Sequence, residues 1–158
     1  MQNDYQPLGY TFIALTKYYL GLLDARLKNL PIEKYYYPFW YIAQNSGNIN
    51  QQQMAECLDI DKVAVVRVID YLEKIQFVER QVNPHDRRCH TLHVTELGSK
   101  YVSQIEQALH DVDQLFLGEM KNSCNHWQKE LVALTQKFKG TSKDEITVDY
   151  KRISNDEA

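Results

Sequence analysis

The stretch "INQQQMAECLDIDKVAVVRVIDYLEKI", Ile49 to Ile75, constrains this chain more than any other feature, because it holds two helical patterns with almost no chain between them. Asn50 stands three residues before Gln53, the spacing at which a side-chain cap and its reciprocal partner satisfy two free backbone N–H groups. Met54, Ala55 and Leu58 then face inward from the short helix that this cap opens. Asp61 is placed to cap the following helix, in which Val65, Ile69 and Leu72 recur on one face. Two such helices across a tight turn are the signature of a helix-turn-helix.

The flanking segments extend this unit on both sides. Downstream, "FVERQV" and "TLHVT" alternate as strands and are joined by the polar turn "NPHDRRCH", which predicts a hairpin carrying two arginines. Upstream, "LGYTFIALTKYYLGLLDARLKNL" places Leu8, Phe12, Leu15, Tyr19, Leu22 and Arg26 on one stripe, widened by Leu23 and Leu27, and predicts a long amphipathic helix ended by Pro31. Ile32 to Tyr37 then form a connector to a second helix, "PFWYIAQNS", with Pro38 in its first turn and Gly47 after its end. From Thr95, "ELGSKYVSQIEQALHDVDQLFLGEM" repeats the long pattern with Tyr101, Ile105, Ala108, Val112 and Leu115. A short helix, "HWQKELVALTQKF", precedes Gly140, and the charged remainder over 140–158 is expected to be a flexible arm. The expected fold is mainly α with a small β-hairpin wing.

Composition narrows the function classes. A chain of 158 residues with 44% hydrophobic and 25% charged side chains suits one folded unit with a single core. A net charge of −3 provides no global basic signature, so any nucleic-acid surface must be local. Cys57, Cys89 and Cys124 are odd in number and lack CxxC spacing, which argues against a disulfide framework and against a zinc module. His85, His90 and His93 do not carry the spacing of a metal site, and no metal or other cofactor is expected. Glycine-rich phosphate loops, HExxH and GxSxG are absent, so the chain is not expected to be an enzyme. With no signal-peptide pattern and no run of about 18 apolar residues, a soluble cytoplasmic protein without membrane contact is expected.

The order of helix, helix, helix-turn-helix, arginine hairpin and long helix resembles the MarR family of winged-helix transcription regulators. The resemblance is carried by "INQQQMAECLDIDKVAVVRVIDYLEKIQFVERQVNPHDRRCHTLHVTELG", about a third of the chain, through DK…R, LEK, the NPHDRR turn and T-E-x-G. It implies a homodimer in which residues 1–30 and 96–139 supply dimerisation helices and 31–95 form a winged helix-turn-helix lobe on double-stranded DNA. It further implies a regulator, in the repressor sense, on a palindromic operator. Gln51, Gln52, Lys62, Val63, Ala64, Val66 and Arg67 are then DNA-contact candidates on the two short helices, as the core face is taken by Val65, Ile69 and Leu72. In the hairpin, the family's D-x-R pattern falls on Asp86 and Arg88, so Asp86 would orient Arg88 into a minor groove while Arg87 meets the backbone.

Two departures from the family pattern matter. Polar residues are usual between the Lys and the Arg of the recognition helix, yet Val63, Ala64 and Val66 stand here; such groups suit thymine methyls or another protein surface. A protein-interaction module with weak or no specific DNA binding is therefore the rival reading. Relatives also commonly carry Gly at the end of that helix, where this chain has Gln76.

The aromatic run "YYYPFWY", Tyr35 to Tyr41, has two readings. The resemblance places it between dimerisation helices and DNA lobe, where Tyr18, Tyr19, Tyr37, Trp40 and Tyr41 would line a site for a small aromatic or phenolic effector. Aromatic rings equally fill cores and dimer interfaces. Redox sensing through a first-helix cysteine is not expected, because no cysteine precedes Cys57, which reads as a small core residue; Cys89 beside Arg88 is the more reactive candidate.

Overall fold

A computed structural model describes residues 7–83, 86–118 and 124–138. The element order is α1 (Leu8–Leu27), α2 (Tyr36–Gln44), α3 (Gln51–Leu58), α4 (Lys62–Lys74), β1 (Val78–Asn83), β2 (Asp86–Val94), α5 (Glu96–Gly118) and α6 (Cys124–Phe138). The strands pair antiparallel as a hairpin. The mainly helical architecture with a two-stranded wing is the one expected from the sequence.

The core gathers one face from each central element. Phe39 and Ile42 of α2, Met54 of α3, Val65, Ile69 and Leu72 of α4, and Ile105 and Val112 of α5 are all fully shielded from solvent. Each such side chain contributes roughly 1.5–3 kcal/mol by leaving water. Val78 and Leu92 anchor the hairpin to this core, and Phe77 stacks on Tyr101 at 4.9 Å between ring centroids. The α1 stripe divides along its length: Leu23 and Leu27 are buried, whereas Leu8, Phe12, Leu15 and Leu22 stay exposed. Periodicity identified an apolar face, and only the C-terminal part of that face meets the rest of the protomer.

Several boundaries also shift. Helix α2 begins at Tyr36, so Pro38 is its third residue; its missing N–H costs little, as first-turn N–H groups have no partner within the helix. It ends at Gln44, before a turn in which Gly47 adopts φ +81°. Gly47 N–H donates to the Leu92 carbonyl (2.8 Å) and Leu92 N–H to the Ile49 carbonyl (2.8 Å), laying this segment beside β2 ahead of α3. Strand β2 starts at Asp86, so Arg87 and Arg88 belong to the strand by backbone rather than to a turn, and the register shifts between Val82 and Asn83. The wing-tip residues Pro84 and His85, and the expected arm over 140–158, lie outside the described residues.

The junction after α4 fixes how the long helix α5 leaves the lobe. Gln76 takes the left-handed conformation at φ +60°, its N–H donating to Glu73 O (2.9 Å) while Phe77 N–H donates to Leu72 O (2.9 Å). These two bonds form a Schellman motif, with buried Phe77 and Leu72 as its apolar pair. Thr95 then closes the hairpin: its N–H donates to Phe77 O (3.1 Å), its hydroxyl donates to Gln76 O (2.6 Å), and the same hydroxyl accepts from Gly98 N–H (3.0 Å) as the cap of α5.

Candidate nucleic-acid interface

Two caps orient the helix-turn-helix. Asn50 Oδ1 accepts from Gln53 N–H (2.9 Å) and Gln53 Oε1 accepts from Asn50 N–H (2.9 Å), the reciprocal pair expected from their spacing. Asp59 ends α3 in the left-handed region at φ +52°, a conformation that Asp tolerates better than most residues. Two residues on, Asp61 Oδ1 accepts from Val63 N–H (2.7 Å) and Ala64 N–H (2.9 Å) and starts α4. The turn is thereby held at both ends by side chains.

Burial of Val65, Val68, Ile69 and Leu72 leaves one side of α4 outward. Lys62, Val63, Val66 and Arg67 are exposed on it, and Ala64 is half-buried. Among the described residues, neither Lys62 nor Arg67 is held in an ion pair, so both cations are available to an external anion. Gln52 is exposed on α3, its amide donating to Glu56 Oε1 at 2.9 Å.

Gln51 has a different environment from its neighbour. With its amide oriented by the hydrogen-bond network, its carbonyl accepts from Arg80 Nε (2.7 Å) and Nη2 (3.1 Å). Arg80, on β1 and only partly exposed, also pairs with Glu73 and with Asp70 (2.7 Å), and its own N–H donates to Glu73 Oε1 (3.0 Å). One guanidinium therefore joins the wing to α3 and α4. Sequence reasoning missed Arg80: its partners sit on other elements, and the only local signal was an arginine in an otherwise alternating strand. Asp86, Arg87 and Arg88 are placed by backbone in β2, with their side chains outside the described residues.

The five aromatic candidates are dispersed. Tyr18 is 63% exposed on α1. Tyr19 donates from its hydroxyl to Asp113 Oδ1 (2.5 Å) and packs edge-on against Phe116, which ties α1 to α5. Burial, then the Asp113 bond, push the Tyr19 hydroxyl up to about 12; Tyr37, bonded to Tyr19, is raised further, first by burial and then by that bond. Trp40 and Tyr41 are half-buried. Tyr41 is raised first by its bond to the Cys57 thiol and then by burial. Cys57 is exposed, correcting the expectation of a core residue; the α3 face that reaches the interior is that of Met54 and Ala55. Two open concavities occur elsewhere, one of about 500 Å³ bordered by Glu73, Gln76, Val78 and Thr95, the other bordered by Arg26, Gln104 and Asp111. Neither is lined by any of the five aromatic residues. No group of three or more metal-ligating side chains occurs among the described residues, and no described helix is long and apolar enough to cross a membrane.

A capped helix-turn-helix with a two-stranded wing, set between long helices, defines a winged-helix protein. The MarR family model matches residues 41–90, the span that holds α3, α4 and most of the hairpin. A Thauera aromatica protein named for transcriptional regulation of the hcr operon is 34% identical over 82 residues; that match spans 52% of this chain and about half, 49%, of the relative. Among solved structures, a MarR transcriptional regulator from Methanosarcina mazei superposes at TM-score 0.73 with 20% identity, covering 82% of this chain and 94% of that one. A MepR–DNA complex from S. aureus superposes at TM-score 0.73 with 18% identity, covering 84% and 98%. These likenesses establish the shared fold.

Proposed function

We propose that this chain is a DNA-binding transcription regulator of the MarR type, a binding protein and not an enzyme, acting in the cytoplasm as a homodimeric repressor on a palindromic operator. The observation that carries the reading is the outward side of α4, where exposed Lys62 and Arg67 flank Val63 and Val66 on a helix whose other side is buried. A helix presented in this way fits a major groove, with cations on phosphates or guanine edges and the wing toward the neighbouring minor groove. The DNA-complexed neighbour of the same fold supports this use of the fold.

Exposed apolar side chains on α1 (Leu8, Phe12, Ile13) and on α6 (Trp127, Leu131, Phe138) support dimerisation through the outer helices. Two recognition helices related by a twofold axis then meet half-sites about one helical turn apart. Release by a small aromatic ligand completes the proposal, with Tyr19 and Tyr37, the two of the five aromatic candidates that meet at the α1–α2–α5 junction, as the residues that would contact it. Its support is the half-buried hydroxyl chain Tyr37–Tyr19–Asp113, which links the long helices to the lobe.

Selection from a duplex DNA library across a salt series tests the reading, with Lys62→Ala and Arg67→Ala alongside. Enrichment of a palindrome is expected, with affinity falling steeply as salt rises and the slope reduced by about one in Lys62→Ala. A folded dimer that enriches nothing at low salt would overturn the reading in favour of a protein-interaction module.

A further inference from the structure

The centre of the outward α4 face carries no hydrogen-bonding side chain. Val63 is 60% exposed and Val66 39% exposed, and their three-residue separation puts them side by side on the helix surface. Isolated exposed valines are ordinary. This pair is not isolated: it lies between exposed Lys62 and exposed Arg67, on the second helix of a helix-turn-helix, within the first two turns after the Asp61 cap. Cations on both sides of an apolar strip select a partner that is anionic at its edges and offers apolar groups between them.

Duplex DNA has that pattern at one place. The thymine 5-methyl is the apolar group that a base pair presents in the major groove, while phosphates line both rims. Cβ atoms three residues apart on a helix lie roughly 5–6 Å from one another, which spans one to two base steps. We infer that Val63 and Val66 are specificity-determining residues that read thymine methyl groups in the major groove, so that each operator half-site carries thymines opposite the first two turns of α4. The inference rests on the DNA-binding reading and adds the base class that the central face recognises. Hydrogen-bonded readout is left to Arg67 and Lys62 at its margins.

Deoxyuridine tests this directly, since it keeps the pairing edge of thymidine and lacks only the methyl. Operator duplexes found by selection are titrated with wild-type protein, with thymines of the half-site replaced one at a time by deoxyuridine, and with Val63→Ala and Val66→Ala. Both substitutions lie on exposed positions and leave the fold intact, which circular dichroism verifies. The expected result is about a fourfold loss of affinity at the thymines facing each valine, the ratio that corresponds to burying one methyl-sized group. That loss shrinks toward onefold in the variant lacking the matching valine. Tight binding with no deoxyuridine penalty would overturn the inference while leaving the DNA-binding reading standing. A penalty that persists unchanged in both variants would assign the methyls to other residues and overturn it as well. Absence of binding to any duplex would overturn both together.

Discussion

Replacing Gly98 by Ala tests how tightly α5 is locked to the end of α4. Ala in place of Gly within a helix ordinarily gains up to about 1 kcal/mol, because glycine has more chain entropy to lose. Here a Cβ at position 98 would lie 2.3 Å from the Phe77 carbonyl oxygen and 3.0 Å from both Phe77 C and Cα, all backbone atoms that no rotamer change can move. Ordinary contact begins at 3.4 Å, so the first turn of α5 must withdraw by about 1 Å. That movement pulls on three hydrogen bonds at once: Thr95 N–H to Phe77 O, Thr95 hydroxyl to Gln76 O, and Gly98 N–H to the Thr95 hydroxyl. Overpacking of this kind costs about 1–3 kcal/mol, and each weakened bond up to about 1 kcal/mol more. After subtracting the helix gain, a net loss of about 2–4 kcal/mol is expected. For a chain of this size that lowers the melting temperature by roughly 5–15 °C. Urea unfolding followed by circular dichroism measures it, at one fixed protein concentration because the stability of the proposed dimer would depend on concentration. A midpoint equal to or above wild type would refute the reasoning, since it would mean that the α4–wing–α5 junction yields without cost.

The opposite sign is expected one step along the same junction. Gln76→Gly relieves a left-handed residue at φ +60°, worth about 1–2 kcal/mol, against roughly 0.5–1 kcal/mol of added unfolded-chain entropy, so a gain of up to about 1 kcal/mol should appear in the same urea assay. Arg80→Met keeps most of the side-chain volume but frees Glu73, Asp70 and Gln51; stability is expected to fall by about 1–2 kcal/mol and operator affinity to drop although no base or phosphate contact is assigned to Arg80. Unchanged affinity in that variant would show that the wing holds its angle without the clamp. Raised tyrosine values make a pH prediction: the folded protein keeps the Tyr19 proton from the ordinary value of 10.0 up to about 12, whereas the unfolded chain releases it near 10.0. Stability from this source is therefore fully present below pH 10 and lost as pH rises through 12. In a Tyr19→Phe, Tyr37→Phe variant, urea midpoints between pH 10 and 12 should decline less steeply than in wild type; an identical decline would remove these hydroxyls from the account.

What was legible in the sequence is what neighbouring residues decide among themselves. The Asn50–Gln53 box, the Asp61 cap and the inward Val65, Ile69 and Leu72 each depend on partners within a few positions, and each is found where the spacing put it. Interactions between elements were not legible. Tyr19 meets Asp113 across 94 positions, and Arg80 meets residues of α3 and α4, pairings that no periodicity records. The α1 stripe shows the same boundary from the other side: repeat spacing marks an apolar face without stating whether the protomer itself covers it.

Gln76 and Gly98 show why a local rule must be weighed against its surroundings. Helix ends in the left-handed form favour glycine, and a reading by propensity alone would place it at position 76. The helix does end there in the left-handed form that glycine favours, with both Schellman bonds made, so the absence of glycine changes only a local strain of about 1–2 kcal/mol. At position 98 the backbone is ordinary helix, and propensity alone would replace glycine with alanine. Yet a Cβ there meets the Phe77 carbonyl, an obstacle 21 residues earlier in the chain, in the junction between α4 and β1. Of the two positions, the one without a conformational demand is the one where glycine is required. A strained dihedral can be tolerated by a folded chain within its stability, whereas a backbone overlap must be removed by moving α5 relative to the helix-turn-helix and wing.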